Sequence, residues 1–554
     1  MNRPEHVAGL SVRAVADRFD GRVTDLAEPT VKNDSTIFGV TGVTLDSRRV
    51  QPGDLYAALP GANVHGASFA AQACASGAVA VITDPEGERI IGRDHAATVP
   101  VIVVDDPRAV LGDVSAEVYG HPSRQLTMVG VTGTNGKTTT AYLVESAWRA
   151  LGHVTGLIGT IETRVAGASL RSAFTTPESP DLQSLLALMA ERGVDHTVME
   201  VSSHALALHR SDAVDFDVAV FTNLSQDHLD FHGTMEDYFE AKAMLFAPER
   251  SARGVICVDD PWGRRLADEA RIPVITLITP ASRDSSTAAD YTLVPDDDSG
   301  QGRFALVRGA DAPAGAGADA TDIGLPERIE LVSALPGAHN QVNTALAALV
   351  LLSEGVAVDR IVSAMSQRPT VPGRMEHVDL PIPPGASSAP VAVVDFAHTP
   401  DAIEATLSAL RPVARRRGGP LVAVLGAGGN RDHGKRPIMG SAAASIADVV
   451  VVTDDNPRHE DPAAIREAVA GGARETAGEC EVLEVEGRVA GITAALERAR
   501  DTGVVAVLGK GHETTQIIGT TVHPFDDRVV IADAWDALVG TAAVNAAAIN
   551  KEDR

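Results

Sequence analysis

Short apolar runs recur along this chain, each closed by glycine or polar residues and followed by helix-like spacing. The first are LYAAL (55–59), AVAVIT (78–83) and VPVIVVDD (99–106). LTMVGVTG (126–133), HTVMEVSS (196–203), DVAVFTNLS (217–225) and GVICVDD (254–260) come next. After a less regular acidic stretch come APVAVVDFAH (389–398), GPLVAVLGAGG (419–429), IADVVVVTDD (446–455) and GVVAVLGKGHE (503–513). Valine-rich strands alternating with helices predict parallel sheets. Ligand loops then belong at the carboxyl ends of those strands. A helix is predicted over TMEDYFEAKAMLFA (234–247), with Met235, Tyr238, Phe239, Met244, Leu245 and Phe246 on its apolar side.

Two stretches have the proline, glycine and polar character of linkers: GHPSRQ (120–125) and SQRPTVPGR (366–374). They divide the chain into three α/β domains. Residues 1–124 form a small α/β domain, 125–369 a central phosphate-loop domain with a parallel sheet, and 370–554 a Rossmann-like domain. The acidic, glycine-rich segment from Asp296 to Asp322 and the segment PIPPGASSAP (381–390) are predicted as surface loops.

With 554 residues the chain is too long for a single core, which agrees with several domains. Its 47 basic and 74 acidic residues leave a net charge of −27. That field disfavours nucleic acid and anionic membrane as partners, though a local basic pocket remains compatible with it. Cys74, Cys257 and Cys480 are far apart and odd in number, which shows neither a disulfide framework nor a cysteine zinc spacing and suits a reducing cytoplasm. The N-terminus lacks an apolar signal core, and no apolar run has the length of a bilayer span, so a soluble cytoplasmic protein without membrane insertion is expected.

GVTGTNGKTTT (130–140) follows a predicted strand and opens a predicted helix, the setting of a phosphate loop. Backbone N–H groups of the turn face phosphates, and the helix N-terminus adds partial positive charge. Lys137 can reach the β- and γ-phosphates, and Thr138 can hold Mg²⁺. The spacing departs from the strict form, with Gly130 six residues before Gly136. Glu200 ends another strand, where a carboxylate can serve Mg²⁺ or simply cap or pair. His228 lies between Asp227 and Asp230 after a third strand, and its role stays open between structure and chemistry. Lys242 sits in the apolar helix, where it either snorkels to solvent or turns inward in a chemically altered form. Arg458 stands among acids in VVTDDNPRHEDP (451–462), either as one partner of a surface ion pair with Asp455 or Glu460 or as a clamp for an anion.

GVTGTNGKTTT, MEVSSH, NLSQDHLDFHG, EAKAMLF, LPGAHNQVN and VDFAHTPD, in this order, resemble the Mur ligases, ATP-dependent enzymes that form amide bonds in cell-wall precursors. LDSRRVQPGDLYAAL, FTTPESPDLQ, DDNPRHEDP and GKGHE extend the resemblance from about Thr44 to Asp526 and point to the member that adds a diamino acid. The resemblance implies that Leu45 and Ser47 contact the uridine nucleotide, and that Thr175, Thr176, Ser202 and Arg210 hold the muramoyl dipeptide. Gly133, Thr134, Asn135, Gly136, Lys137, Thr138 and Thr139 would wrap the ATP phosphates, with Asn340 at the adenine and Arg374 reaching the phosphates from the last domain. Glu200 and His228 would serve Mg²⁺ together with Thr138, and Lys242 would act as a carbamate. Arg431, Asp455, Asn456, Pro457, Arg458, Gly509 and Glu513 would form the amino-acid pocket.

The implied reaction joins meso-diaminopimelate to the D-glutamyl γ-carboxylate of UDP-MurNAc-L-Ala-D-Glu through an acyl phosphate, with L-lysine or L-ornithine as the alternative amino acid. A monomer is expected. Lysine lacks the distal carboxylate that a planar guanidinium at Arg458 can hold bidentately. Two positions depart from the family pattern. Phe396 replaces the usual tyrosine, and Leu208 stands where glutamine is frequent, so altered affinity is expected there. A folylpolyglutamate synthetase gives no reason for the DNPR and LDSR segments. A phosphate-loop motor would hydrolyse ATP without a small acceptor, and a relic scaffold would not need Lys137, Glu200, His228 and Lys242 intact.

Overall fold

A computed structural model describes residues 3–24, 39–94, 99–170, 175–280, 282, 288–296, 302–309, 325–367, 369, 371–383, 386–476 and 478–552, the last twelve by backbone alone. Three large sheets organise them. The first has the order Arg22–Thr24, Val101–Val103, Ala80–Thr83, Asp54–Ala57, Gly42–Thr44, parallel except for its first strand. The third runs Glu376–Val378, Val391–Asp395, Val504–Leu508, Leu421–Leu425, Val449–Val452, Glu481–Glu484, parallel except for Glu376–Val378.

The middle sheet has eleven strands and is parallel only in its interior. Thr155–Ile158, His196–Glu200, Thr127–Thr132, Phe216–Phe221, Ser251–Cys257, Val274–Ile278 and Tyr291–Pro295 form that interior. Thr163–Val165 and Ala168–Leu170 extend one edge antiparallel, and Arg303–Arg308 and Arg328–Val332 the other. The expected loop over Asp296–Asp322 is therefore corrected in part. RFALVR (303–308) alternates and pairs on both sides, with Phe304 and Leu306 buried, while 297–301 and 310–322 lie outside the described residues.

Alternation within single strands builds a core on each face of the middle sheet. Val129, Val131, Val218 and Val220 pack beneath the helices Lys137–Ala150 and Ala338–Ser353. Met128, Met199, Ala219 and Phe221 pack on the opposite face, against Ser179–Glu191 and Met235–Ala243. Truncating a fully buried leucine such as Leu346 would cost about 2–5 kcal/mol. The predicted helix over 234–247 ends at Ala243, and Met244–Phe246 tightens into a 3₁₀ turn that buries Leu245 and Phe246.

The chain enters the third sheet through Gly373, whose φ is +63°. A Cβ there would lie 2.0 Å from the His512 backbone nitrogen, so the two segments touch backbone to backbone. The Gly373 carbonyl accepts from the Phe396 N–H at 2.9 Å. Among the described residues no helix is long and apolar enough to cross a membrane.

Candidate active site

The strand Thr127–Thr132 runs into a turn that opens the helix Lys137–Ala150. Two glycines permit the turn. Gly133 (φ +144°) and Gly136 (φ +88°) would each drive a Cβ into a neighbour, at 1.9 Å from Thr222 Oγ1 and 2.5 Å from Asn343 Oδ1. The Thr134 N–H donates to the Asn223 carbonyl at 2.9 Å, and the Asn135 N–H to Asn223 Oδ1 at 3.0 Å. Lys137 Nζ donates to the carbonyls of Gly133 (2.9 Å) and Thr134 (2.8 Å), which holds the ammonium over the loop. Thr138 and Thr139 are buried in the first helical turn. Thr138 Oγ1 donates to Glu200 Oε2 at 2.8 Å, and Glu200 Oε1 accepts from the Thr160 N–H at 2.8 Å. Thus the loop and the end of the adjacent strand meet.

Lys242 does not snorkel. Its side chain is buried, its Nζ donates to the same Gly133 carbonyl at 2.9 Å, and it lies 4.6 Å from the Tyr238 ring centre. Burial, reinforced by the Lys137 charge, pushes its pKa well down. Burial likewise lowers Lys137 and Arg374. Arg374 Nη2 donates to Thr138 Oγ1 at 3.2 Å, with its guanidinium 4.4 Å from the Phe396 ring centre. Phe396 has no hydroxyl to offer, but its face carries this cation, and His512 packs 5.3 Å from it. Lys137, Lys242 and Arg374 thus converge where a polyphosphate would sit, an arrangement suited to spreading negative charge.

His228 (φ +54°) places Nε2 3.6 Å from Asp227 Oδ2. Burial takes its pKa down to about 3, and the charges of Lys137, His204 and Lys242 add to this against the opposing pull of Asp227. It is neutral at pH 7 and able to act as a ligand. Asp227, which the sequence reading did not single out, receives Lys435 Nζ at 3.4 Å and His398 Nε2 at 3.7 Å from the far side of the cleft. Burial alone would raise its carboxyl, but His398, His228 and Lys435 hold it below the usual range. Thr399 Oγ1 also crosses the cleft, to Asn135 Oδ1 at 3.5 Å. The Thr138 hydroxyl and the Glu200 carboxylate meet and are oxygen donors that fit a divalent cation, to which the neutral His228 could add a nitrogen. Lys242 as an ammonium does not fit that set and would join it only as a carbamate.

A second cluster follows the strand Val449–Val452. Arg458 is held with φ +52°, its N–H donating to the Ile517 carbonyl at 3.1 Å and its Nη1 to the Gly429 carbonyl at 2.8 Å. Among the described residues it forms no ion pair within 4 Å. Glu460 instead engages Arg436 at 2.9 Å and His433 at 3.2 Å. Burial and the neighbouring Arg431 lower the Arg458 pKa, while Asp455 and Glu513 oppose them. Gly428 leaves the space: a Cβ there would lie 2.9 Å from Arg458 Nη1. Asn456 Nδ2 donates to Glu513 Oε2 at 2.9 Å. Lys510, missed in the sequence, is fully buried and donates to Asn456 Oδ1 (3.2 Å) and Glu513 Oε2 (3.1 Å), with Asp455 Oδ1 at 3.8 Å. Its signal was a lysine between two glycines directly after a valine-rich strand. Gly509 (φ +107°) lets Asp455 approach, and the Pro457 carbonyl packs against Gly429.

Thr176, Thr175 and Ser202 gather beside Glu200. Thr176 Oγ1 donates to the Glu200 carbonyl (2.8 Å) and accepts from the Ser202 N–H (3.2 Å), and the Thr175 hydroxyl lies 3.0 Å from that of Thr160. Arg210 Nε is 2.9 Å from Glu178, which also pairs with Arg108 at 3.2 Å. Arg108 further donates to the Leu208 carbonyl, so Leu208 meets the first sheet's segment through its backbone. Ser47 Oγ donates to Gln72 at 3.2 Å and Leu45 packs on the first core, apart from the phosphate loop. Asn340 is buried and turned to its own chain, donating to the Pro336 carbonyl at 2.7 Å and accepting from Asn343 at 3.2 Å.

Three family models match in order: the Mur ligase family catalytic domain over 39–119, the Mur ligase middle domain over 131–351 and the Mur ligase glutamate ligase domain over 373–511. A UDP-N-acetylmuramoyl-L-alanyl-D-glutamate–2,6-diaminopimelate ligase of Streptomyces avermitilis is 46% identical over 537 residues, 96% of this chain and 97% of that protein. The enzyme of the same name from Corynebacterium glutamicum is 45% identical, over 88% of this chain and 90% of its own. A solved structure of a ligase with this name superposes with a TM-score of 0.60 at 29% identity, covering 96% of this chain and 99% of that one. The phosphate loop, the convergent cations and these relatives agree, and the chain belongs to the Mur ligase family of ATP-dependent, C–N bond-forming ligases.

Proposed function

We propose that this ligase adds meso-diaminopimelate to the D-glutamyl γ-carboxylate of UDP-MurNAc-L-Ala-D-Glu, in the cytoplasm and as a monomer. The observation that carries this reading is the Arg431–Arg458 pair beside Asp455, Asn456, Lys510 and Glu513. Two guanidinium groups that repel one another suit a carboxylate between them, and the facing acids suit an ammonium. One amino-acid centre of diaminopimelate provides both charges while the other reacts.

The acceptor carboxylate attacks the γ-phosphorus of ATP, giving an acyl phosphate and ADP, and the amine then displaces phosphate to form the amide. Lys137 and Arg374 take up charge on the phosphoryl oxygens. Thr175, Thr176, Ser202 and Arg210 hold the muramoyl dipeptide, Leu45 and Ser47 the uridine, and Asn340 lies on the adenine side. Mg²⁺ held by Thr138, Glu200 and His228 would supply Lewis-acid polarisation of the phosphates. The amine of Lys242, kept from full protonation by burial, can take up CO₂, and the resulting carbamate anion would complete the metal site. Lys242→Ala would then lose most activity, and bicarbonate depletion would slow the native enzyme; full activity in the variant would refute this role. The working limits are 1–124 for the nucleotide-sugar domain, 125–369 for the ATP domain and 370–554 for the amino-acid domain. Arg374, Lys435 and His398 reach across the cleft, so the last domain closes on bound substrates. Scattering without compaction on adding ATP and acceptor would contradict closure. All of these groups come from one chain, so a monomer suffices.

Phosphate release with ATP, Mg²⁺ and the UDP-muramoyl dipeptide, offered meso-diaminopimelate, L-lysine or L-ornithine in parallel, tests the whole reading. Turnover with diaminopimelate alone is expected. Turnover with lysine or ornithine would keep the ligase and overturn the carboxylate clamp.

A further inference from the structure

The helix Lys137–Ala150 starts at the phosphate loop and the strand His196–Glu200 ends at Glu200. Their other ends meet at the rear of the middle sheet. There the turn after the helix presents His153, and the strand begins with Asp195 and His196. The Asp195 N–H donates to the Val154 carbonyl at 3.0 Å, and the Asp195 carbonyl accepts from the Thr127 N–H at 2.8 Å, so backbone bonds fix these positions.

The side chains converge. His153 Nδ1 is 3.1 Å from Asp195 Oδ2 and His196 Nδ1 is 3.2 Å from Asp195 Oδ1. One donor atom from each residue lies within 4.8 Å of the other two. The imidazole centres are 3.8 Å apart, and the His196 ring meets the edge of Trp148 at 5.0 Å. His196 Nδ1 is buried, and its contact with Asp195 lacks the geometry of a hydrogen bond, so a lone pair or N–H there is unsatisfied. Such a group carries a penalty unless something else satisfies it. Tetrahedral bonds of about 2.0–2.1 Å to nitrogen and oxygen put neighbouring ligand atoms about 3.3 Å apart, close to the two histidine–carboxylate separations, which run to the two oxygens of Asp195. Asp195 is half exposed, which leaves one face open to water.

We propose that His153, Asp195 and His196 form a binding site for a divalent transition-metal ion of zinc type, with water in the fourth position. Two imidazoles and one carboxylate favour Zn²⁺, Ni²⁺ or Cu²⁺ over Mg²⁺, which prefers oxygen. The ion clips the tail of the phosphate-loop helix to the head of the strand that carries Glu200. Its effect is on the stability of that frame and not on the reaction.

The test is calorimetric titration of Zn²⁺ into the full-length protein with Mg²⁺ and ADP in excess, so that the phosphate loop and its histidine are occupied. Thermal unfolding with and without Zn²⁺ accompanies it. The native chain should bind Zn²⁺ and gain thermal stability, as any ligand of the folded state confers. His153→Ala should weaken binding at least tenfold and abolish the gain. Asp195→Asn, at an exposed site where the amide keeps the polar contact with His153, should also weaken binding and serves if the alanine variant folds poorly. Absence of Zn²⁺ binding by the native chain, or binding and stabilisation unchanged in both variants, would overturn the site.

Discussion

Buried and half-buried cations occur in two parts of this molecule under opposite terms. Beside the third sheet, Arg488 and Asp527, each at the start of a helix, are both fully buried and bond twice at 2.7 Å, with the Leu508 carbonyl taking a further guanidinium N–H at 2.9 Å. Burial alone would lower that guanidinium, and Asp527 more than reverses it. In the cleft, Lys137 and Lys242 lean on the carbonyl oxygens of a loop, Arg374 on a hydroxyl and a phenyl face, and burial lowers all of them. The first arrangement has its counterion built in. The second has backbone dipoles in place of a full negative charge, and so keeps its affinity for an incoming polyanion. The first stabilises the fold and the second is proposed to serve the reaction; Lys242 is as fully buried as Arg488, so side-chain burial alone does not separate the two kinds of cation.

Asp527→Asn gives the sharpest test of that contrast. It strands a buried guanidinium and should cost about 3–5 kcal/mol, read as a lower thermal midpoint for the transition that carries the third sheet. Lys137→Met should do the reverse. Turnover should fall about 10²–10³-fold or more, as the phosphoryl charge loses a preorganised partner, while thermal stability holds or rises. A loss of stability comparable to that of Asp527→Asn would break the comparison.

Arg458 stands between the two classes, half-buried and joined to a carbonyl. Arg458→Lys replaces a planar fork with a point charge and should raise KM for meso-diaminopimelate about 10–100-fold with kcat little changed. A fall in kcat alone would place Arg458 in the chemistry instead.

The smallest effect expected is on an acid. Glu354 accepts the Trp148 indole N–H at 2.9 Å, and burial pushes its pKa up to about 7. The unfolded carboxyl ionises near its ordinary value of 4.5, before the folded one. The fold therefore has the full contribution of this group below about pH 4.5, loses it as pH rises to about 7, and stays lower above that. Glu354→Gln keeps the indole bond without the charge. It should gain about 1–2 kcal/mol at pH 8, since each tenfold change in proton affinity is worth roughly 1.4 kcal/mol, and flatten the stability curve between those pH values.

The phosphate loop was legible in the sequence because strand, glycines and helix are contiguous there. The central valine-rich parallel strands of each sheet were legible for the same local reason, but Thr155–Ile158, Val274–Ile278, Tyr291–Pro295 and the edge strands were not. What lay between segments was not. Helical spacing gave the apolar side of 235–243 but could not turn Lys242 inward, since the carbonyl that receives it lies in another segment, at Gly133. Asp227 was passed over beside His228 because its partners, His398 and Lys435, arrive only when the third sheet's segment docks. Lys510 hid in a glycine-rich turn for the same reason. The strand Arg303–Arg308 was masked by the acidic, glycine-rich sequence around it, although its own alternation was intact. The turned-in amide of Asn340 is a packing outcome that no motif encodes.

Gly373 has a consequence for drug resistance. Its φ of +63° already disfavours any side chain, and the His512 backbone occupies the place where a Cβ would go. A flexible neighbour could swing aside, but a main-chain nitrogen cannot without moving the strand end behind it. Replacing this glycine with any other residue is thus expected to disrupt the fold. An inhibitor seated on the Gly373 backbone beside Arg374 would meet a contact that substitution of this residue cannot remove while the enzyme keeps its fold.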